Sequence, residues 1–204
     1  MELINKYFTG LTAEQITKFQ QLESLYNDWN SKINVISRKD IGDLYLKHVL
    51  HSLAIAKVIS FKDGTDILDV GTGGGFPGIP LAILFPNCNF LLLDSIAKKI
   101  NVVNSVVKSL ALNNVSTIVS RAEAINSKHD FVVSRAVTRM DKFRRLIRGK
   151  ILKGGNNSLN NGILYLKGGD ISEEMMNVKH KVFNISAFYG EDFFSTKKIV
   201  YVKD

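Results

Sequence analysis

The densest group of residues with chemical potential lies between Gly71 and Gly78, where five of eight residues are glycine. The spacing of Gly73, Gly75 and Gly78 satisfies G-x-G-x-x-G between an apolar run and a helical pattern. Glycine permits a sharp turn and, because it lacks a Cβ, lets a ligand approach the backbone closely. The segment therefore predicts a loop that binds a nucleotide-containing ligand.

Two carboxylates flank this loop and bear on the choice of ligand. Asp94 ends the next apolar run, where an acidic side chain would hold a ribose diol, which NAD and S-adenosylmethionine share. Asp69 would repel a pyrophosphate and attract the positive sulfonium and amino groups of S-adenosylmethionine. The sequence therefore favours S-adenosylmethionine as cofactor. The alternative is that Asp69 only caps and braces the loop.

The other candidate residues follow from topology, because open parallel sheets bind ligands at the carboxyl ends of their strands. The third strand end would bring Ala122 and Glu123 near the adenine, and Phe76 would supply part of its apolar slot. The fourth would bring Arg135 near the reacting methyl, where it would hold either the substrate or the cofactor carboxylate. For Arg121 and Glu123 a surface ion pair remains an equal alternative.

The residues after the fourth strand limit which kind of atom could accept the methyl group. Ser134-Arg135-Ala136-Val137 stands there, not the Asn/Asp-Pro-Pro-aromatic cluster expected for methylation of an exocyclic amine. Cys88 precedes the second strand, at the wrong end of the sheet for a nucleophile, which disfavours carbon-5 methylation of pyrimidines. A ring nitrogen such as N7 of guanine has a free lone pair and needs only positioning. Arg135 and His48 are the candidate catalytic residues, and a packing role stays open for His48.

The elements that position these residues follow from hydrophobic periodicity. Capped apolar helical patterns at 11–29 and 44–58 predict a helical N-terminal extension. Beyond residue 64, alternating strands and helices predict a Rossmann-like α/β domain with a mostly parallel twisted sheet. Strands are expected at 66–70, 89–94, 116–120, 131–134 and 163–166, with helices at about 78–85, 97–111 and 139–152. Two further strands, at 178–188 and 199–202, are expected to form an antiparallel hairpin at the sheet edge.

Composition sets outer limits on the protein class. The chain has 204 residues and a formal net charge of +8. That length suits one compact unit, with an extension over 1–63 and a main domain over 64–204. No apolar run is long enough for a membrane span, one cysteine allows no internal disulfide, and no metal site is expected. We expect a cytoplasmic monomer that does not bind membranes.

The positive charge is concentrated in one segment. Residues 139–153 contain seven basic side chains against Asp141 alone. In a helix with an inward stripe of Met140, Phe143, Ile147 and Ile151, three arginines would face solvent: Arg144, Arg145 and Arg148. With Arg121 they form the set predicted to bind a polyanionic partner such as RNA, the alternative being a solvated helix face.

The chain resembles the bacterial small-subunit ribosomal RNA methyltransferase G family, also called glucose-inhibited division protein B. The similarity rests on Asp69-Val70-Gly71-Thr72-Gly73-Gly74-Gly75-Phe76-Pro77-Gly78-Ile79-Pro80, Asp94-Ser95 with Lys98-Lys99, Arg121-Ala122-Glu123, Ser134-Arg135-Ala136 and Lys167-Gly168. It also covers Trp29-Asn30 with Asn34, and Lys47-His48 with Ser52. His51 stands where the family usually has aspartate, and the tail after Gly169 matches weakly.

The resemblance implies a class I methyltransferase that transfers a methyl group from S-adenosylmethionine to N7 of a guanine in 16S rRNA. Gly71, Phe76, Ala122, Glu123 and Arg135 match the family's cofactor-contacting positions. The implied partner is 16S rRNA, as naked RNA, an assembly intermediate or the small subunit. Two other functions remain open from the sequence: a nucleic-acid-binding module with a vestigial nucleotide fold, and a small-molecule methyltransferase.

Overall fold

The computed structural model describes residues 1–37 and 39–204, and its centre is a seven-stranded sheet in the order β3-β2-β1-β4-β5-β7-β6. The first five strands pair in parallel: β1 (Asp66–Val70), β2 (Asn89–Asp94), β3 (Val115–Val119), β4 (Phe131–Arg135) and β5 (Gly162–Gly168). Two antiparallel strands follow, β6 (Lys181–Asn184) and β7 (Lys197–Lys203), and β7 lies between β5 and β6. This confirms the predicted α/β class and the antiparallel hairpin at the edge.

The central strands are apolar because both faces of the sheet are covered. Along β1, Ile67 packs into one core cluster, and Leu68 and Val70 into another on the opposite face. The first face carries α2 (Ala13–Lys32), α4 (Gly78–Leu84) and α5 (Ala97–Ser109). The second carries α6 (Met140–Leu146) and the short α7 (Ser172–Met175). The strand order turns at β1 and β4, so their carboxyl ends frame a crevice.

The N-terminal region is helical, as predicted. A short α1 (Glu2–Tyr7) precedes α2, and α2 begins with the expected capping box between Thr12 and Gln15. The second helical pattern differs from an ordinary α-helix. It runs as a 3-10 turn (Ile41–Asp43), a π-helix (Leu44–Leu50), a single turn α3 (His51–Leu53) and another 3-10 turn (Ala54–Lys57).

The basic segment also differs from the expected long helix over 139–152. The helix α6 ends at Leu146, and Gly149 turns the chain with a φ of +74°. Ile151 then forms an isolated parallel bridge with His129. The inward stripe prediction holds, since Met140, Phe143, Ile147 and Ile151 are all buried. The periodicity thus identified the buried positions but overestimated the helix, because a short helix, a turn at Gly149 and a bridge bury the same side chains.

The C-terminal strand prediction needs a similar correction. The expected strand over 178–188 is only four residues long, since a 3-10 turn follows at Ile185–Ala187 and buries Ile185 in the core. The helix α7 was not predicted, because four residues carry too little periodicity. Among the described residues, no helix has both the length and the apolar character needed to cross a bilayer.

Candidate functional site

A cavity of about 610 Å³ opens at the carboxyl ends of the parallel strands. Most of its lining comes from the glycine loop after β1, the end of β2 and the residues after β3 and β4, and Val35 and Leu146 complete it. Of the predicted cofactor-binding residues, the cavity is lined by Gly71, Gly73, Phe76, Asp94, Ala122, Glu123 and Arg135. Its volume lies within the range usual for small-molecule sites.

Two glycines bring the loop backbone to the cavity wall. Gly71 and Gly73 have φ values of +68° and +60°, in the left-handed region that disfavours other residues. A Cβ on Gly71 would also lie 2.5 Å from Cγ2 of Val137, which follows β4. The loop after β1 therefore packs directly against the loop after β4, and only glycine allows this approach.

Gly75 has a different role from the predicted one. It does not line the cavity, and a Cβ there would meet the side chain of Ile79 and lie 3.2 Å from the hydroxyl of Tyr26. Its φ of +96° turns the chain into α4. Gly75 thus packs closely on Ile79 of α4 and Tyr26 of α2, a placement that the G-x-G-x-x-G pattern does not contain.

Asp69 is also placed differently from the cofactor-contact prediction. Its carboxylate is fully buried beneath the loop and does not line the cavity. Oδ2 accepts hydrogen bonds from Thr72 Oγ1 at 2.7 Å and from the Gly78 amide at 2.8 Å. Burial raises the pKa of Asp69 to about 7, although both hydrogen bonds act to lower it. The bracing alternative fits this placement, because the two hydrogen bonds of Asp69 tie the glycine loop to the first residue of α4.

Asp94 lies where the ribose interpretation requires it. The side chain lines the cavity, and its two oxygens accept hydrogen bonds from the Gly73 amide at 3.0 Å and the Ile96 amide at 2.9 Å. These bonds hold the carboxylate in one orientation, and each oxygen keeps a further lone pair. A diol at the cavity wall would find two oriented acceptors there.

The residues after β3 form the other end of the cavity. Ala122 is buried and begins a single 3-10 turn, Ala122–Ala124. Arg121 and Glu123 flank it, and both are exposed and line the cavity. No ion pair joins Arg121 or Glu123 to a described residue. This arrangement offers an apolar floor with polar groups at its rim.

Arg135 closes the cavity at the end of β4. Nη1 donates to the carbonyl of Lys47 at 3.0 Å, and Nη2 lies 2.8 Å from Nδ1 of His48. The guanidinium lies over the Phe76 ring, 5.3 Å from its centroid. Burial lowers the pKa of Arg135 to about 10, and no described carboxylate pairs with it within salt-bridge distance. A half-buried cation that faces the cavity without a paired anion is suited to an anionic ligand group.

His48 does not line the cavity, contrary to a direct catalytic role. Its Nδ1 accepts from Arg135, so the ring carries its proton on Nε2, which is buried without a described partner. Burial, with the nearby Arg135 charge, lowers the pKa of His48 to about 4. The ring also packs against Phe76, with centroids 5.2 Å apart. The packing alternative, together with an orienting contact to Arg135, describes this residue.

The predicted RNA-binding arginines lie beside the cavity. Leu146 at the end of α6 lines it, and Arg144, Arg145 and Arg148 are exposed. Asp141 lies 3.6 Å from Arg145, as an exposed ion pair. Two other basic residues of the segment face elsewhere. Lys150 is buried and donates to the carbonyl of Ile125, and Arg139 lies 3.3 Å from Glu173.

Sequence reasoning missed several residues of the site. Val35 lines the cavity from the loop after α2, and Asn30 Oδ1 holds that loop by accepting from the amides of Val35 and Ile36. Tyr26 donates to the carbonyl of Gly74. Tyr165 accepts from the Val137 amide and so fixes the loop after β4. Periodicity placed Tyr26 in a helix and Tyr165 in a strand as packing residues, and it assigned Asn30 and Val35 to neither.

Two further residues named from the sequence lie away from the cavity. His51 is buried against the rings of Phe193 and Phe194, and burial lowers its pKa to about 3. Cys88 precedes β2 at the opposite end of the sheet, as expected, and burial raises the pKa of its thiol to about 11. In residues 1–37 and 39–204, no cluster of three His, Cys, Asp or Glu side chains has a metal-binding arrangement.

Known proteins were compared with the whole chain. A relative from Flavobacterium psychrophilum, named ribosomal RNA small subunit methyltransferase G, is 60% identical over 203 residues, which cover 99% of this chain and 97% of that protein. A relative of the same name from Christiangramia forsetii is 57% identical over 99% of this chain and 96% of its own length. The fold is similar to that of a SAM dependent methyltransferase from Aquifex aeolicus, with a TM-score of 0.57, 16% identity, and coverage of 82% and 98% of the two chains.

The sequence motifs, the crevice and these similarities point to one family. The GidB family profile, described as rRNA small subunit methyltransferase G, matches residues 15–195. That range includes the glycine loop, every described wall of the cavity and most of the N-terminal helices. The chain belongs to the rRNA small subunit methyltransferase G family.

Proposed function

We propose that the protein transfers the methyl group of S-adenosylmethionine to N7 of a guanine in the 16S rRNA of the small ribosomal subunit. The observation that carries this proposal is the cavity at the strand ends, with Asp94 at one wall and the half-buried Arg135, which pairs with no described carboxylate, at another. A ribose diol and an amino-acid carboxylate are the groups that these two side chains would hold. S-adenosylmethionine carries both, and NAD carries no carboxylate.

The cavity fits the cofactor along its length. The adenine would lie beside buried Ala122, with Glu123 at its edge, and the ribose would lie on Asp94. The amino-acid arm would run along the backbone of Gly71 and Gly73, where no Cβ intervenes. Phe76 and Arg135 would then lie nearest the methyl group.

The chemistry needs positioning and no general base. S-adenosylmethionine supplies a methyl group on a sulfonium, and the N7 lone pair displaces it to leave S-adenosylhomocysteine. His48, whose ring contacts Arg135, would be a poor general base, because its pKa is low and its Nδ1 already accepts from Arg135. Cys88 lies at the far end of the sheet. Arg135 would help to align the two reactants, and alignment alone supplies a large share of such rate gains.

The RNA would approach over the rim formed by Arg121 and the end of α6. Arg121 lines the cavity, and Arg144, Arg145 and Arg148 are exposed along or just after α6. Phosphate groups would bind these guanidinium groups, which makes RNA affinity dependent on salt. Arg145 would contribute least at low salt, because Asp141 already lies beside it.

Residues 1–63 would act as one wall of the site and not as a separate module. Their buried side chains share a single core cluster with the sheet, and Val35 lines the cavity. The expected monomeric state stays part of this proposal. With the N-terminal helices forming one wall, the open side of the crevice would be free to receive RNA, including RNA in a ribosomal particle.

Cleavage of 16S rRNA by borohydride and aniline tests the N7 assignment, because the reagent pair breaks the chain at 7-methylguanosine. RNA from cells with the protein should show one cleavage that is absent from cells without it. Complementation with Arg135→Gln, which keeps a polar side chain without the charge, should leave the site uncleaved. An unchanged cleavage pattern between the two strains would overturn the proposal.

A second measurement separates the other functions left open by the sequence. Purified protein with labelled S-adenosylmethionine should methylate 16S rRNA as naked RNA, as an assembly intermediate or as the finished subunit, and should not label small metabolites. A nucleic-acid-binding module would instead retain RNA and bind no S-adenosylhomocysteine in calorimetry. The fastest of the three RNA substrates would identify the stage of assembly.

A further inference from the structure

We propose that Tyr26, on the N-terminal helix α2, is a positioning residue for the cofactor. Its hydroxyl donates a hydrogen bond of 2.5 Å to the carbonyl of Gly74, in the middle of the glycine loop. The side chain is fully buried, and its ring lies 4.9 Å from that of Phe76. Tyr26 is not among the residues that match the family's cofactor-contacting positions, and it does not line the cavity.

The glycine loop depends on a small number of anchors. Below it, Asp69 bonds to Thr72 and Gly78, and beside it Asp94 bonds to the Gly73 amide. The Gly74–Gly75 peptide lies between these anchors, and glycine allows that peptide a wide range of orientations. The Gly75 amide of this peptide donates to the carbonyl of Thr72 at 2.9 Å, and the Gly74 carbonyl accepts its hydrogen bond from the Tyr26 hydroxyl.

Gly75 shows how closely Tyr26 approaches the loop. A Cβ on Gly75 would lie 3.2 Å from the Tyr26 oxygen, closer than most real Cβ contacts. On the other side of the same peptide, Gly74 is packed against Val35, whose Cβ would lie 3.3 Å from an added Cβ. The helix α2 and the loop that follows it therefore hold Gly74 from two directions.

The consequence for binding follows from the geometry of the loop. Gly73 and Phe76 line the cavity on either side of the Gly74–Gly75 peptide. Rotation of that peptide would move both residues, and with Gly73 the amide that orients Asp94. Burial raises the pKa of Tyr26 far above its usual range, so the hydroxyl keeps its proton and remains a donor. Tyr26 thus links the N-terminal region to the cofactor without touching the cofactor.

The test is Tyr26→Phe, which removes only the hydroxyl and keeps the ring that packs on Phe76. Because one buried carbonyl loses its partner, the dissociation constant for S-adenosylhomocysteine should rise about tenfold in calorimetry. The KM for S-adenosylmethionine should rise in proportion, whereas the KM for RNA should stay within about twofold. Hydrogen exchange should be faster in the peptide containing residues 71–76.

The matched control is Tyr45→Phe. The Tyr45 hydroxyl donates to the carbonyl of Phe19 at 2.9 Å, on α2 but away from the loop. This variant should lose some thermal stability and keep its affinity for S-adenosylhomocysteine. An affinity of Tyr26→Phe within twofold of wild type would overturn the proposal, as would an equal loss in both variants. Because binding is measured without RNA, a failure of the N7 assignment would not affect the result.

Discussion

At the residue scale, Asp69 and Asp94 have different roles because their surroundings differ. Asp94 has both oxygens oriented by backbone amides and still faces the cavity. Asp69 is sealed under the loop, and one of its oxygens has no described partner. Burial raises the pKa of Asp69, so the carboxylate is easily protonated. Its hydrogen bonds to Thr72 and Gly78 stabilise the glycine loop.

Replacement of Asp69 separates the brace from the charge. Asp69→Asn keeps an oxygen that can accept from Thr72 and Gly78, and it should bind S-adenosylhomocysteine within about threefold of wild type. Asp69→Ala leaves both donors buried and unpaired, at about 1–3 kcal/mol each, and should bind more than tenfold more weakly. Calorimetry and thermal unfolding measure the two effects. If asparagine proved as damaging as alanine, the negative charge itself would be required.

Substitution of Gly71 tests the contact between the loops after β1 and β4. Gly71→Ala combines a positive φ with a Cβ that would lie 2.5 Å from Val137. Gly64→Ala is the matched control, because Gly64 has a φ of +79° and open space around it. The strain of a positive φ costs about 1–2 kcal/mol in both variants. In urea unfolding, Gly71→Ala should lose at least about 1 kcal/mol more unfolding free energy than the control. Only Gly71→Ala should also lose affinity for the cofactor. Equal losses in the two variants would contradict the steric interpretation.

At the element scale, the irregular helical segment and α6 have the largest functional consequences. The π-helix Leu44–Leu50 contains Lys47 and His48, which hold Arg135 through a backbone carbonyl and a ring nitrogen. Helix irregularities of this kind are frequent at functional sites. The short α6 ends at Leu146, which lines the cavity, and it carries the exposed Arg144 and Arg145, with the exposed Arg148 in the turn that follows.

The arginines of the α6 region should determine how RNA binding responds to salt. A variant with Arg144→Gln, Arg145→Gln and Arg148→Gln should have a log–log salt slope shallower by about two to three units. Its affinity for S-adenosylhomocysteine should not change. The matched control is Lys179→Gln, Lys181→Gln and Lys203→Gln, which removes three exposed charges at the opposite end of the sheet. Filter binding over a salt series measures both slopes, and an equal change in the control would mean that only net charge matters.

At the scale of the whole molecule, the N-terminal helices and the methyltransferase sheet share one core. Leu22 and Tyr26 of α2 belong to the same buried cluster as Leu92 of β2 and Ile199 of β7. Buried polar groups lie at the junction as well, including His51. The stability of this junction therefore depends on protonation.

His51 should make the protein less stable in mild acid. Burial lowers its folded-state pKa from 6.5 to about 3, so the unfolded chain binds the proton more readily. The free energy of unfolding should therefore fall as the pH falls from about 6.5 towards 3. Asp69 has a raised pKa, so its contribution to the unfolding free energy changes in the opposite direction between pH 3.8 and about 7. This contribution is the same in wild type and in any variant that retains Asp69.

The variant His51→Phe isolates this contribution. It should flatten the dependence of the unfolding free energy on pH by up to about 1.4 kcal/mol per unit below pH 6.5. Urea unfolding at several pH values measures the difference from wild type. Parallel curves for the two proteins would show that His51 is accessible to protons in the folded state.

Much of the site was predictable because it depends on local order along the chain. The glycine spacing, the strand boundaries at Asp66–Val70 and Asn89–Asp94, and the residues at the strand ends are local patterns with fixed geometric meaning. They placed Gly71, Asp94, Ala122 and Arg135 at one edge of the sheet, and the cavity is lined by all four. The distant position of Cys88 followed from the same logic.

The sequence by itself determined the fold class, the family and the edge of the sheet where the site lies, because periodicity and motif spacing are local properties. Only the tertiary structure decided that Asp69 braces the loop, that Gly75 serves packing and that His48 orients Arg135. It also decided that Tyr26 and Val35 reach the site from the N-terminal helices. Burial, the direction of a side chain and contacts between distant segments arise when the layers pack, and no spacing along the chain specifies them.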